Sequence, residues 1–248
     1  MARREEMSTS FGREAARYES GRPDYPAEAV AWLLEPIVVA GRRPRVADVG
    51  AGTGKLTRVL RELEAEVVAV DPDADMLAEL RRRVPGTPAF VGTAERMPLP
   101  DASVDAVVAG QAWHWVDPVA GAAEAGRVLR ERGVLGLVWN VRDERVAWVR
   151  RLTGIMHGSS AEQLISEGGP QPHPPFERFD TRVWEWHRPL TREAFLDMAA
   201  SRSYVITAGE TARRSILDEV GVLFDELAEN GIVELPYRTE AFRAAVGH

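Results

Sequence analysis

The sequence predicts an α/β fold, a doubly wound and mostly parallel sheet, on three observations. Short apolar runs such as Val46–Val49 and Val104–Ala109 alternate with helix-like segments. Gly50, Gly52 and Gly54 fall between the first of these runs and the segment that opens at Lys55. Such a place, at the carboxyl end of a strand, is where an open α/β sheet opens its ligand crevice. The 248 residues also suffice for one large domain with a small appended lobe, and 45 % hydrophobic with 28 % charged residues is a globular composition.

The elements follow in order. Met1–Gly21 is polar and leads to Arg22-Pro-Asp-Tyr-Pro26, where Pro26 opens a helix over Ala27–Leu34. Strand one is Val46–Val49, followed by the glycine loop and a helix over Lys55–Leu63. Strand two is Glu66–Val70, and Asp73 caps a helix that stops before Pro85-Gly86. Pro88–Val91 is a weaker strand, Val104–Ala109 the fourth, Pro118–Leu129 a helix, Glu131-Arg-Gly133 a turn and Val134–Trp139 the fifth strand. Farther on, Glu144–Met156 reads as helix and Gly168–Pro175 as an irregular, proline-rich loop. Thr181–His187 alternates as a strand, and Thr191 caps a helix over Glu193–Ala200. Thr211–Glu229 is helical, stops at Asn230-Gly231, and precedes a seventh strand, Ile232–Thr239. Residues 1–40 are expected to cover the cofactor, and an insertion at about 155–215 to form a helical, acceptor-side lid on a single domain spanning 1–248.

Charge and composition narrow the function. A net charge of −7 and a pI near 5.4 argue against a nucleic-acid backbone as partner. With no cysteine, thiolate catalysis and cysteine metal sites are excluded. His157, His173 and His187 have no paired spacing, so no metal site is expected. No apolar run reaches membrane-spanning length, and a cytoplasmic location with no membrane partner is the expectation.

The glycine loop indicates the cofactor. A dinucleotide site usually carries Gly-x-Gly-x-x-Gly, whereas here Lys55 occupies the place of the third glycine. Asp48 precedes the loop, where a carboxylate repels a pyrophosphate and attracts an ammonium group. That favours a zwitterionic amino-acid ligand. Asp71, at the end of strand two, is placed for two ribose hydroxyls, and its other reading is a cap for the next helix.

Five ordered motifs carry a family resemblance. They are Asp48-Val-Gly-Ala-Gly-Thr-Gly54 with Val68-Ala-Val-Asp71, Gly92-Thr-Ala-Glu95, Arg127-Val-Leu-Arg130, Tyr18-Glu-Ser-Gly-Arg-Pro-Asp-Tyr-Pro26 and Gln111-Ala-Trp-His-Trp115. The chain resembles a class I S-adenosylmethionine-dependent methyltransferase, most similar to the small-molecule branch with ubiquinone/menaquinone-type and trans-aconitate-type enzymes. The resemblance covers most of residues 11–140. It implies a Rossmann-like seven-stranded sheet whose last strand is antiparallel, with S-adenosyl-L-methionine as cofactor. It also implies roles: Gly50, Ala51, Gly52, Thr53 and Gly54 line the methionine portion, with Asp48 on the amino group. Asp71 holds the ribose hydroxyls, while Pro72 and Met76 pack on the adenine and Thr93, Ala94 and Glu95 touch its edge. Gln111 and Ala112 border the sulfonium, and Tyr18 and Arg22 close over the cofactor, Arg22 pairing with its carboxylate. Two departures stand out: Glu131-Arg-Gly133 replaces a Pro-Gly-Gly turn, and Thr93 stands where many relatives carry an Asp.

Methyl transfer from a sulfonium is an in-line displacement, so the protein mainly aligns the reactants. His114 is the candidate catalytic residue, read either as a base or acceptor-orienting group or as a structural histidine fixing its loop. For Trp115 packing is the favoured reading. The expected function is methyl transfer to a small-molecule acceptor, at a carboxylate or hydroxyl oxygen or an activated ring carbon. A cofactor-binding accessory protein without transferase activity is the alternative. Neither the acceptor nor the oligomeric state is legible.

Overall fold

The computed structural model describes residues 21, 23–202, 204–205 and 208–247. Its seven strands form one sheet in the order β3-β2-β1-β4-β5-β7-β6. They are β1 (Arg45–Val49), β2 (Glu66–Asp71), β3 (Ala89–Val91), β4 (Val104–Gly110), β5 (Leu129–Arg142), β6 (Asp180–Thr191) and β7 (Ile232–Ala245). The β1–β2, β1–β4, β2–β3 and β4–β5 pairings are parallel, in the register Val46↔Val67 and Ala47↔Val107. The sheet is mostly parallel with antiparallel strands at its end, as expected, and β7 inserts between β5 and β6.

Chain contacts divide the molecule into two compact units. Described residues of the first unit are 21, 23, 142–162, 185–202, 204–205 and 208–238; those of the second are 24–141, 163–184 and 239–247. The roles expected for Tyr18 and Arg22, and the reading of the first twenty residues, lie outside the described residues.

In the second unit, buried strands explain the continuous apolar runs, because side chains alternate faces and both must be covered. Val46, Ala106, Val108, Val134 and Val138 pack with Val30, Leu33 and Leu34 of α1 (Ala27–Leu34) and with Leu56, Val59 and Leu60 of α2 (Lys55–Glu62). Ala69 of β2 meets Leu77 and Leu80 of α3 (Ala74–Arg83). Ala47, Val107, Leu135 and Leu137 alternate to the other face and are buried too. Further helices are α4 (Pro118–Val128), which Asp117 caps at Val119 and Ala120, and α6 (Ser160–Ser166), whose residues run from the first unit into the second. The first unit contributes α5 (Ala147–Met156), α7 (Arg192–Ala200) and α8 (Glu210–Leu227). Its core joins Val149, Leu152 and Met156 to Phe195, Met198, Val220, Phe224 and Leu235, with the Phe195 and Phe224 rings 5.5 Å apart.

Four elements run differently from expectation. β5 starts at Leu129, and Glu131-Arg-Gly133 becomes an irregularity within it: register passes from Val104↔Leu129 to Ala106↔Val134. Arg132 there carries φ +62°, a conformation that glycine takes more readily. α6 is a helix the sequence reading omits. β6 and β7 run on to Thr191 and Ala245, beyond the expected ends at His187 and Thr239.

Candidate active site

The glycine loop and its surroundings lie wholly in the second unit. Asp48 ends β1 in the buried sheet with only 1 % of its surface exposed. Thr57, on the facing turn of α2, donates its hydroxyl to Asp48 Oδ2 at 2.5 Å. Asp48 Oδ1 has no hydrogen-bond partner among the described residues. Burial pushes the Asp48 carboxyl from 3.8 up to about 7; the Thr57 hydrogen bond opposes this and the Asp71 charge adds to it.

Gly50, Gly52 and Gly54 adopt φ of +67°, +53° and +90°, which L side chains rarely adopt. Their neighbourhoods differ. A Cβ at Gly50 would sit 2.4 Å from the Ala112 methyl and one at Gly54 2.9 Å from Leu80 Cγ, whereas one at Gly52 would have no described atom within 4 Å. Gly50 and Gly54 thus allow close packing, and Gly52 leaves room above the loop. Gly50 and Ala51 donate their N–H groups to Val70 O, tying the loop to β2. Asp71 completes the tie: Oδ2 accepts the Gly52 N–H and Oδ1 the Asp73 N–H, each at 2.8 Å. Capping of α3 falls to Asp73, which accepts from Asp75 and Met76, so the cap reading of Asp71 is set aside. Each Asp71 oxygen keeps a further lone pair. Pro72 is exposed and Met76 half-buried next to it, leaving apolar surface beside the carboxylate; Ala51 and Thr53 are buried in the loop.

After β3 the chain makes a tight turn in which Thr93 and Arg96 exchange backbone hydrogen bonds. Ala94 is buried there. Burial pushes Glu95 upward, but hydrogen bonds led by the Asp117 N–H hold it below its ordinary range. Glu95 therefore fastens the turn to the α4 cap. Thr93 borders an open recess of ≈ 390 Å³ with Val91, Gly92, Arg96, Met97 and Pro98.

Gln111 follows β4 with φ +54° and donates its side-chain Nε2 to Asn140 O at 2.7 Å. Its Oε1 is buried with no partner among the described residues. Asn140 is the residue that sequence reading missed: Nδ2 donates to Asp24 O at 3.1 Å, and Oδ1 accepts the Thr239 hydroxyl at 2.6 Å. Its signal was a polar residue at the carboxyl end of the fifth strand, where ligands of open sheets gather. Trp139 donates its indole N–H to His114 Nδ1 at 3.3 Å. In a neutral ring, accepting at Nδ1 places the proton on Nε2. Trp113 is buried, but Trp115 is 74 % exposed, which corrects the expectation that it packs. It has followed the one-turn 3₁₀ helix Trp113–Trp115 outward, tilted against the His114 ring at 4.8 Å. Lys55 meets Asp24 Oδ1 at 3.1 Å, tying α2 to the segment before α1.

The parallel order 3-2-1-4-5 with β7 inserted before β6, and an acidic residue at the ends of β1 and β2 flanking a glycine loop, define a methyltransferase fold. Comparison with known proteins agrees: residues 47–137 match the methyltransferase domain family. An uncharacterised methyltransferase of Mycobacterium tuberculosis is 47 % identical over 248 residues, 98 % of each chain. A solved structure from Anaeromyxobacter dehalogenans, provisionally assigned as a type II methyltransferase, is 28 % identical and covers 92 % of this chain and 99 % of its own, with TM-score 0.70. A malonyl-[acyl-carrier protein] O-methyltransferase of Methylococcus capsulatus is 35 % identical over 162 residues, 61 % of this chain and 58 % of the relative. The chain belongs to the class I S-adenosylmethionine-dependent methyltransferases.

Proposed function

We propose that the protein transfers a methyl group from S-adenosyl-L-methionine to a small-molecule acceptor. One observation carries the reading: Asp48 Oδ1, buried and without a described partner, beside a glycine loop that leaves space at Gly52. A buried carboxylate oxygen without a donor is costly, and an ammonium group supplies both donor and counter-charge. The residues fit the donor molecule. Asp48 takes its amino group, Gly50–Gly54 its methionine backbone, Asp71 its ribose hydroxyls, and Pro72 and Met76 its adenine face.

When bound, S-adenosylmethionine supplies an electrophilic sulfonium methyl. The chain's own part is alignment. Gln111, braced through Nε2 by Asn140, presents Oε1 as a fixed acceptor, and Ala112 packs onto Gly50 so that this loop cannot drift. His114, held at Nδ1 by Trp139, presents Nε2–H to orient an acceptor oxygen. Similarity to the malonyl-[acyl-carrier protein] O-methyltransferase of Methylococcus capsulatus supports an oxygen acceptor. An accessory protein that binds the donor without turnover is the second reading, favoured by the absence of a free base at His114 Nδ1. A screen of small carboxylates, phenols and quinone precursors, reading released S-adenosylhomocysteine, separates the two. Release with any acceptor above the acceptor-free rate supports transfer; donor binding with no release across the panel supports the accessory reading.

A further inference from the structure

Arg142 closes β5 in the first unit, and its side chain has no exposed surface. A guanidinium needs five donor contacts, and burial removes the water that would supply them. Among the described residues only Nη2 has partners, Glu162 Oε1 at 2.8 Å and Thr153 Oγ1 at 3.1 Å. Nε and Nη1 have no partner among the described residues, and neither has the buried Tyr237 Oη, which acts electrostatically on Arg142. Such groups carry their desolvation cost with nothing returned. Glu162 cannot absorb them, because its other oxygen accepts the Ser159 N–H at 2.9 Å and the Ser159 hydroxyl at 3.0 Å. Arg202 adds a second positive charge, acting on both Arg142 and Glu162, and Glu144 adds a negative one. Burial of the Arg142 side chain excludes water and so strengthens any charge pairing made there.

We propose that Arg142 and Arg202, both in the first unit, form an anion site for a small carboxylate. A planar carboxylate matches the guanidinium fork. Charge selects it over phosphate: Glu162 and Glu144 already offset much of the two guanidinium charges, so a monoanion completes the balance and a dianion exceeds it.

The test uses the 248-residue chain with butyrate, benzoate and octanoate, each beside its neutral amide. Thermal denaturation reads stabilisation by ligand, and the ¹⁵N resonance of Arg142 Nε–H reads contact directly. At least one acid is expected to raise the melting temperature saturably and shift that resonance while its amide does neither. Arg202→Gln is expected to weaken the response about tenfold or more. Because Arg142→Gln could strand Glu162, the double variant Arg142→Gln/Glu162→Gln serves as the second probe and is expected to lose the response. No response to any of the three acids, equal response to acid and amide, or a full response in the double variant overturns the site. Calorimetry with S-adenosylmethionine on the same samples keeps the readings apart. Donor binding without an acid response removes only the anion site; an acid response without donor binding upholds that site and removes the methyltransferase reading.

Discussion

At the scale of single residues, Asp48 gives the most specific consequence. Its folded-state pKa is raised from 3.8 to about 7, so the folded protein holds the proton more tightly than the unfolded chain. The stability this contributes is complete below pH 3.8 and is lost as pH rises through about 7, by at most about 4 kcal/mol. Urea denaturation across that window should show the decline in the parent protein and a flatter profile in Asp48→Asn; equal slopes in both would remove Asp48 as the cause. S-adenosylmethionine affinity should move the opposite way and strengthen over the same range, because the ammonium needs the ionised carboxylate. At His114 the bond from Trp139 predicts a positioning role. His114→Ala should lower turnover about tenfold or more while donor affinity stays within about twofold. An equal loss in both would make His114 part of the scaffold alone.

Among elements, the glycine loop separates into positions with different work. Gly54→Ala brings φ +90° together with a contact to Leu80, and should cost about 1–3 kcal/mol of stability by thermal or chemical denaturation. Gly52→Ala meets no described atom, so strain alone should cost about 1 kcal/mol, but donor affinity should fall tenfold or more. A Gly52→Ala protein that binds the donor normally would show that the open space is not where the ligand lies. This loop was legible because β1, Gly50–Gly54 and Asp71 are contiguous patterns with strong local causes. So were the Asp73 and Thr191 caps, each a short polar side chain before an apolar-periodic run. α6 was legible in principle and missed: Ser159 and Glu162 bond reciprocally as a capping box, the Ser-x-x-Glu pattern that announces a helix start. Asn140 and Arg142 were beyond local reading, since their partners Thr239 and Glu162 lie 99 and 20 residues away.

For the molecule as a whole, β5 sets the arrangement. It carries Val138, which accepts the Gln111 N–H; Asn140, which braces the Gln111 side chain; and Arg142, which pairs with Glu162. Alternation of strands and helices predicted the parallel sheet, but the insertion of β7 between β5 and β6 follows from long-range pairing that no window of sequence contains. The Thr239–Asn140 hydrogen bond links β7 to β5, and Thr239→Val should cost about 1–3 kcal/mol through the buried Asn140 Oδ1 it leaves unpaired. Unchanged denaturation would show that Asn140 finds another donor. The central claim is that two acidic strand ends and the glycine loop between them form a cradle for S-adenosylmethionine. Titration calorimetry on the parent protein and on Asp71→Ala tests it most directly. The account predicts saturable binding to the parent and a loss of about 1.5–3 kcal/mol in the variant. No binding to the parent, or unchanged affinity in Asp71→Ala, would contradict it.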